Sequence, residues 1–199
     1  MPVAHGRLEG IHKLAAEGSG VALVLHPHPL YGGTMHNPVV FHCERALREA
    51  GFSTLRLNFR GVGESTGRHD DGRGEVEDAR AGLDFLLAEH PGASDVVAAG
   101  FSFGAAIALR LAESDTRVGR VIAIGTPVSM LEPGTLADET RPRLFLHGER
   151  DDVAPLAGLR AALCGAGELT RLHVVPGATH FFEDGTDDLR AAVDAFVAR

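Results

Sequence analysis

Val96-Val97-Ala98-Ala99-Gly100-Phe101-Ser102-Phe103-Gly104-Ala105-Ala106-Ile107-Ala108-Leu109 is the stretch that decides how this chain is read. An apolar run ends in GxSxG and passes at once into a run of strong helix formers, which spells strand, tight turn, helix. The two glycines have a steric purpose, because a serine at the apex of a strained turn leaves no room for side chains at its second neighbours. A helix starting there also aims N–H groups and the positive end of its dipole at any oxyanion beside Ser102. Taken alone the pentapeptide also fits a glycine-rich turn with a solvated serine, so the rest of the chain must supply the context.

Working outward, similar short runs rich in Val, Leu, Ile and Phe recur at Val21 to Leu25, Thr54 to Phe59, Val121 to Ile124, Leu144 to Leu146 and Leu172 to Val175. These read as buried strands. Helical periodicity fills the gaps at Val39 to Glu49, Glu75 to Glu89, Phe103 to Glu113, Leu156 to Leu163 and Asp187 to Val197. Alternation of this kind predicts an α/β fold, a mostly parallel doubly wound sheet of about seven strands with helices on both faces. Arg7 to Leu14 is ambiguous; it reads as an antiparallel edge strand joined to Val21 through a turn at Gly18-Ser19-Gly20. With no repeat and no linker, residues 1–199 read as one domain.

In open α/β sheets chemistry sits outside the carboxyl ends of the strands, so the residues after each apolar run carry the functional reading. After Leu144 to Leu146 comes His147-Gly148-Glu149-Arg150-Asp151-Asp152, which supplies a carboxylate on a strand-end loop. Pro176-Gly177-Ala178-Thr179-His180-Phe181-Phe182 places a histidine on the next such loop. A serine hydroxyl needs a base to take its proton, and the base needs an acid to hold its tautomer. The candidate catalytic residues are therefore Ser102, Asp151 and His180, with Asp152 and Glu149 as alternative acids. Phe101 and Phe103 flank the serine and either line the acyl side or pack against neighbouring strands.

His26-Pro27-His28-Pro29-Leu30-Tyr31-Gly32-Gly33 follows the first buried strand. Its prolines lack N–H groups, so the oxyanion hole is expected to pair the N–H of Phe103 with that of Leu30, His28 being second choice. His26, His28 and His36 also raise a metal-dependent hydrolase as an alternative, although no carboxylate lies in the loop. Asn58 to Ser65 is glycine-rich after a strand, but the third glycine falls at Gly67, one place too late for GxGxxG, and a structural turn is the simpler reading. The charged run Arg68 to Glu77 reads as a solvated loop leading into a helix.

Composition narrows the partners. The chain of 199 residues is 44% hydrophobic with a net charge of -8, and its 27 acidic residues outnumber 19 scattered basic ones. Nothing supplies the basic stripe that nucleic acid requires. Two cysteines, Cys43 and Cys164, are too few for a disulfide framework and too far apart for a CxxC pair. No apolar stretch approaches the roughly 20 residues of a membrane span, and the N-terminal residues lack a signal-peptide core. A cytoplasmic protein is expected, with no cofactor, no metal and no membrane partner; the oligomeric state is not legible.

With LVLHPHPLYGGTMHN, LRLNFRGVGES, GFSFGA, HGERDDVAP and PGATHFF in that order, the chain resembles the α/β hydrolase superfamily from about Leu8 to the last helix. It is closer still to a bacterial group of small predicted serine hydrolases. The resemblance implies Ser102 as nucleophile, Asp151 as acid and His180 as base. Larger relatives insert a helical cap where Thr126 to Arg141 leaves about 16 residues here, so little or no cap is expected. The function implied is hydrolysis of small carboxylic esters or thioesters through an acyl-enzyme. A non-catalytic binding module on the same fold is the reading from another class.

Overall fold

The computed structural model describes residues 1–16, 20–131, 136 and 140–198. A short antiparallel ribbon, β1 (Pro2–Val3) with β2 (Gly6–Arg7), precedes the main sheet. The elements that follow are β3 (Gly10–Lys13), β4 (Gly20–Leu25), α1 (Pro38–Glu49), β5 (Phe52–Leu57), α2 (Arg73–Glu89), β6 (Asp95–Phe101) and α3 (Phe103–Ser114). The chain then runs through β7 (Arg120–Ile124), β8 (Arg143–Gly148), α4 (Leu156–Ala162), β9 (Thr170–Val175) and α5 (Thr186–Val197). The seven-stranded sheet has the order β3-β5-β4-β6-β7-β8-β9, parallel throughout except at β3.

The expected alternation is present, and the strand interiors show why it works. Along β4, Val21, Leu23 and Leu25 enter one core while Ala22 and Val24 enter the other, because successive side chains of a strand point to opposite faces. The first core is closed by α2, α3 and Leu159 of α4, the second by α1 and α5. A strand covered on both faces has no polar side, so β4, β6 and β8 read as continuous apolar runs.

Two expectations need correction. The N-terminal edge strand exists, but it pairs antiparallel with β5, Gly10 opposite Leu57, and not with the strand it leads into; Gly18 and Ser19 of the proposed turn lie outside the described residues. The last strand is not fully buried: Arg171 and His173 of β9 are exposed, as suits an edge strand, where charged side chains discourage further pairing. Between β7 and β8 the described residues hold one 3₁₀ turn, Val128–Met130, and no cap. Among the described residues no helix is long and apolar enough to cross a membrane.

The order of strands positions the site. From β4 the chain moves to β5 on one side, then crosses to β6 on the other, so a crevice opens at the carboxyl ends of β4 and β6. Leu25 is paired with Gly100, which sets the His26 loop beside Ser102.

Candidate functional site

Ser102 sits between β6 and α3 at φ 54° and ψ -117°, a conformation that a non-glycine residue adopts only under constraint. The constraint is visible in its neighbours. A Cβ on Gly100 would run into the Gly104 carbonyl, and one on Gly104 would run into the carbonyls of Leu25 and His26. The Ser102 N–H is tied to the Ile124 carbonyl of β7 at 2.8 Å. As N-cap of α3, a serine ordinarily accepts a bond from the first turn with its own hydroxyl, yet Ser102 makes no such bond. Its hydroxyl meets His180 instead, Oγ to Nε2 at 3.1 Å.

The other ring nitrogen of His180, Nδ1, lies 2.7 Å from Asp151 Oδ2. Asp151 Oδ1 accepts the N–H groups of Val153 at 3.0 Å and Ala154 at 2.7 Å, so both carboxylate oxygens are occupied. Burial works against ionisation of Asp151, but the His180 contact and the Ala154 N–H outweigh it and hold the carboxyl below its usual range. Because Asp151 is then an acceptor, Nδ1 of His180 carries the ring proton and Nε2 presents a lone pair to the serine. Asp152, the alternative acid, is exposed, and Glu149 is engaged by the N–H of Gly177 at 2.8 Å.

Space for the histidine comes from small residues. Gly125, at φ 56°, holds a place where a Cβ would stand 3.1 Å from both His180 Cε1 and Phe101 Cε2. Gly148 lets β8 pass the Ala178 and Thr179 carbonyls of the histidine's loop. One contributor was not singled out from sequence: His147, buried at the end of β8, places Nε2 2.6 Å from the Ala154 carbonyl and 3.4 Å from Asp151 Oδ2. Its position immediately before the glycine of the acid-bearing loop was the available signal.

The His26 loop makes the facing wall. His26 Nε2 accepts the Phe59 N–H at 3.0 Å, so its proton sits on Nδ1, 2.6 Å from the Pro27 carbonyl. Burial, opposed by that Pro27 bond, pushes the His26 pKa down to about 4. Both nitrogens are occupied, and among the described residues no three His, Cys, Asp or Glu side chains group as a metal ion needs. The His26, His28, His36 alternative therefore gains no support from the geometry. Leu30 also departs from expectation: its N–H donates to Nδ1 of His28 at 3.2 Å, and its side chain points to solvent, 68% exposed.

His28, by contrast, lines a cleft of about 240 Å³ with Pro27, Tyr31, Phe101, Val153 and Phe181, against which Ser102 and His180 stand. Phe101 is buried with its ring 4.9 Å from that of His180, and it also lines the cleft. Phe103 is core, its ring against His28, Phe59 and His69. The charged run after Arg68 is not simply a solvated loop. Glu75 is fully buried at the start of α2 and accepts from His69 Nδ1 at 2.8 Å and from the N–H groups of Asp70 and Gly72. A carboxylate near a helix N-terminus with three donors is stable when buried, and helix-capping logic explains it better than surface charge.

The comparisons with known proteins agree with this architecture. Residues 23–146 match the model of a family described as alpha/beta hydrolase fold. An uncharacterised protein of Rickettsia prowazekii is 36% identical over 202 residues, covering 96% of this chain and 84% of its own. A Xanthomonas campestris protein described as a member of the a/b serine hydrolases without lid superposes with a TM-score of 0.92 at 33% identity, covering 100% of this chain and 91% of its own. An alpha-beta serine hydrolase homologue from Coxiella burnetii gives 0.88 at 35% identity, covering 96% and 91%. With a seven-stranded, mostly parallel sheet, a serine on a strained strand-to-helix turn and a family match over more than half its length, the chain belongs to the alpha/beta hydrolase fold family.

Proposed function

We propose that this protein is a serine hydrolase that cleaves small carboxylic esters or thioesters through Ser102, His180 and Asp151. The observation that carries the reading is the unbroken line of contacts, Ser102 Oγ to His180 Nε2 at 3.1 Å and His180 Nδ1 to Asp151 at 2.7 Å, ending on a serine whose hydroxyl is withheld from helix capping. His180 takes the hydroxyl proton as Oγ attacks the acyl carbon, and Asp151 stabilises the imidazolium. The tetrahedral intermediate collapses as the bond to the leaving oxygen or sulfur breaks, and His180 returns the proton to the departing group. Water, deprotonated by the same ring, then attacks the acyl-serine; the bond from the acyl carbon to Oγ breaks, His180 returns the proton to Ser102, and the acid is released.

Negative charge on the attacked oxygen needs two donors. Phe103 is the first residue of α3, so its N–H has no acceptor within the helix. For the second donor the His28 N–H fits better than that of Leu30, because His28 borders the cleft and the Leu30 N–H is already bonded to the His28 ring. A cleft of about 240 Å³, below the range of roughly 300–1,000 Å³ common for drug-sized ligands, favours a small substrate.

The test is covalent. A fluorophosphonate probe is expected to modify Ser102, as located by mass spectrometry, and Ser102→Ala is expected to lower ester hydrolysis by about a thousandfold or more. EDTA is expected to have no effect. A Ser102→Ala variant that keeps most of its activity, or an enzyme inhibited by EDTA and deaf to the probe, would overturn the reading.

A further inference from the structure

Seven large apolar side chains are exposed among the described residues, and three of them line one cleft: Tyr31 at 86%, Val153 at 58% and Phe181 at 55%. Leu30, 68% exposed, is the residue before Tyr31 in the chain. Scattered exposed apolar residues mean little, but a cluster beside a nucleophile marks a binding surface. Equally informative is what the lining lacks. None of the described residues lining the cleft is Lys, Arg, Asp or Glu. Next to them in sequence stand exposed carboxylates, Asp152 beside Val153 and Glu183 and Asp184 just after Phe181 and Phe182, with Arg150 as the nearby cation. The whole chain carries a net charge of -8.

Resting on the serine-hydrolase reading above, we infer that the substrate is an uncharged ester or thioester bearing a flat apolar group, held by Tyr31 and Phe181, and that anionic acyl donors such as coenzyme A thioesters are excluded. The physical grounds are two. A charged group entering the cleft loses water and finds no counter-charge, a cost that neutral groups avoid. A polyanionic carrier must also approach against the field of an acidic protein, with exposed carboxylates flanking the lining residues in sequence. A flat ring, in contrast, finds the exposed faces or edges of Tyr31 and Phe181, and the His28 ring already packs at a tilt against Tyr31, centroids 4.7 Å apart, which holds that wall in place. With no cap among the described residues, these side chains shield the reacting carbonyl from water on one side.

The experiment compares kcat/KM for phenyl butyrate, its 4-carboxyphenyl analogue, S-phenyl thiobutyrate and butyryl-coenzyme A. The two uncharged phenyl substrates are expected to be turned over well, and the carboxylated ester and the coenzyme A thioester about a hundredfold less well or worse. Tyr31→Ala with Phe181→Ala, both on the surface, is expected to lower kcat/KM for phenyl butyrate about tenfold while fluorophosphonate labelling of Ser102 persists. Hydrolysis of butyryl-coenzyme A at a rate comparable to the thiophenyl ester, or unchanged kcat/KM in the double variant, would overturn the inference. So would sedimentation showing the wild type as a dimer that the double variant dissolves, since the apolar collar would then serve a second copy of the chain. Failure of the underlying reading looks different: Ser102→Ala would retain activity toward every substrate.

Discussion

At the scale of single residues, the site is decided by where each polar group spends its hydrogen bonds. Ser102 could have capped α3, and it contacts His180 instead; Leu30 could have offered an N–H to the cleft, and it gives that N–H to His28. Asp151 takes two N–H groups on one oxygen and His180 on the other, leaving little freedom to rotate. His147 stands behind this arrangement, bonded to the Ala154 carbonyl and within 3.4 Å of Asp151. By holding the Ala154 carbonyl it fixes the Val153–Ala154 segment, whose N–H groups in turn hold Asp151. His147→Phe is therefore expected to lower kcat roughly tenfold with little change in KM, because Asp151 and the Val153–Ala154 segment lose their brace and the His180 ring is less well aimed. His147→Gln, whose amide can still donate to Ala154, is expected to recover much of that loss. Steady-state kinetics with thermal melts on both variants decides the matter: equal kcat values in the presence of lowered melting temperatures would reduce His147 to a structural role.

At the scale of elements, the site depends on close approaches that only glycine permits. Gly125 follows β7 with φ 56° and lies against both His180 and Phe101, so Gly125→Ala combines a strained backbone with a Cβ 3.1 Å from each ring. We expect it to cost about 1–2 kcal/mol of stability and to lower kcat about a hundredfold by displacing the imidazole, measured by urea unfolding and by ester hydrolysis. An active variant with normal kinetics would show that the ring moves aside freely. How far such features can be read from sequence varies by element. The runs that became β4, β6, β7 and β8 were legible because strands covered on both faces leave no polar residues to confuse the pattern. The line of Ser102, Asp151 and His180 was legible because strand order in this class of sheet makes residues after successive strands neighbours in space. Pairing partners were not: nothing local distinguishes β4 from β5 as the neighbour of β3, since the partner of an edge strand is fixed by the whole sheet. Nor were the burial of Glu75 and the diversion of the Leu30 N–H, because a helix cap and a loop hydrogen bond depend on φ/ψ values that charge and periodicity do not encode.

For the whole molecule, acidity and burial pull stability in opposite directions. From pH 7 toward the isoelectric point near 5.7 the net charge of -8 falls toward zero, which relieves self-repulsion, but exposed charges are screened within roughly 8 Å at physiological salt and count for little each. His26 acts the other way and more strongly. It is completely buried, both its nitrogens are bonded in the neutral form, and its pKa is lowered from 6.5 to about 4. Since the unfolded chain binds this proton first, the stabilisation is fully present above pH 6.5 and is lost progressively as pH falls from 6.5 through about 4, where about 3 kcal/mol has gone. His12, also depressed by burial, adds to the same trend. Asp151, with its carboxyl held low, contributes stability above the usual carboxylate pKa of 3.8 and loses it only in stronger acid, as pH falls through its depressed folded value. The expected profile is a urea midpoint that declines between pH 6.5 and 4.5, before any carboxylate of the site is neutralised. Imidazole NMR signals should show His26 still neutral at pH 5. A midpoint that stays level or rises over that interval would mean that relief of net charge outweighs the buried ring, and a His26 signal titrating near 6.5 would mean that the loop joining β4 to α1 opens readily enough to admit a proton.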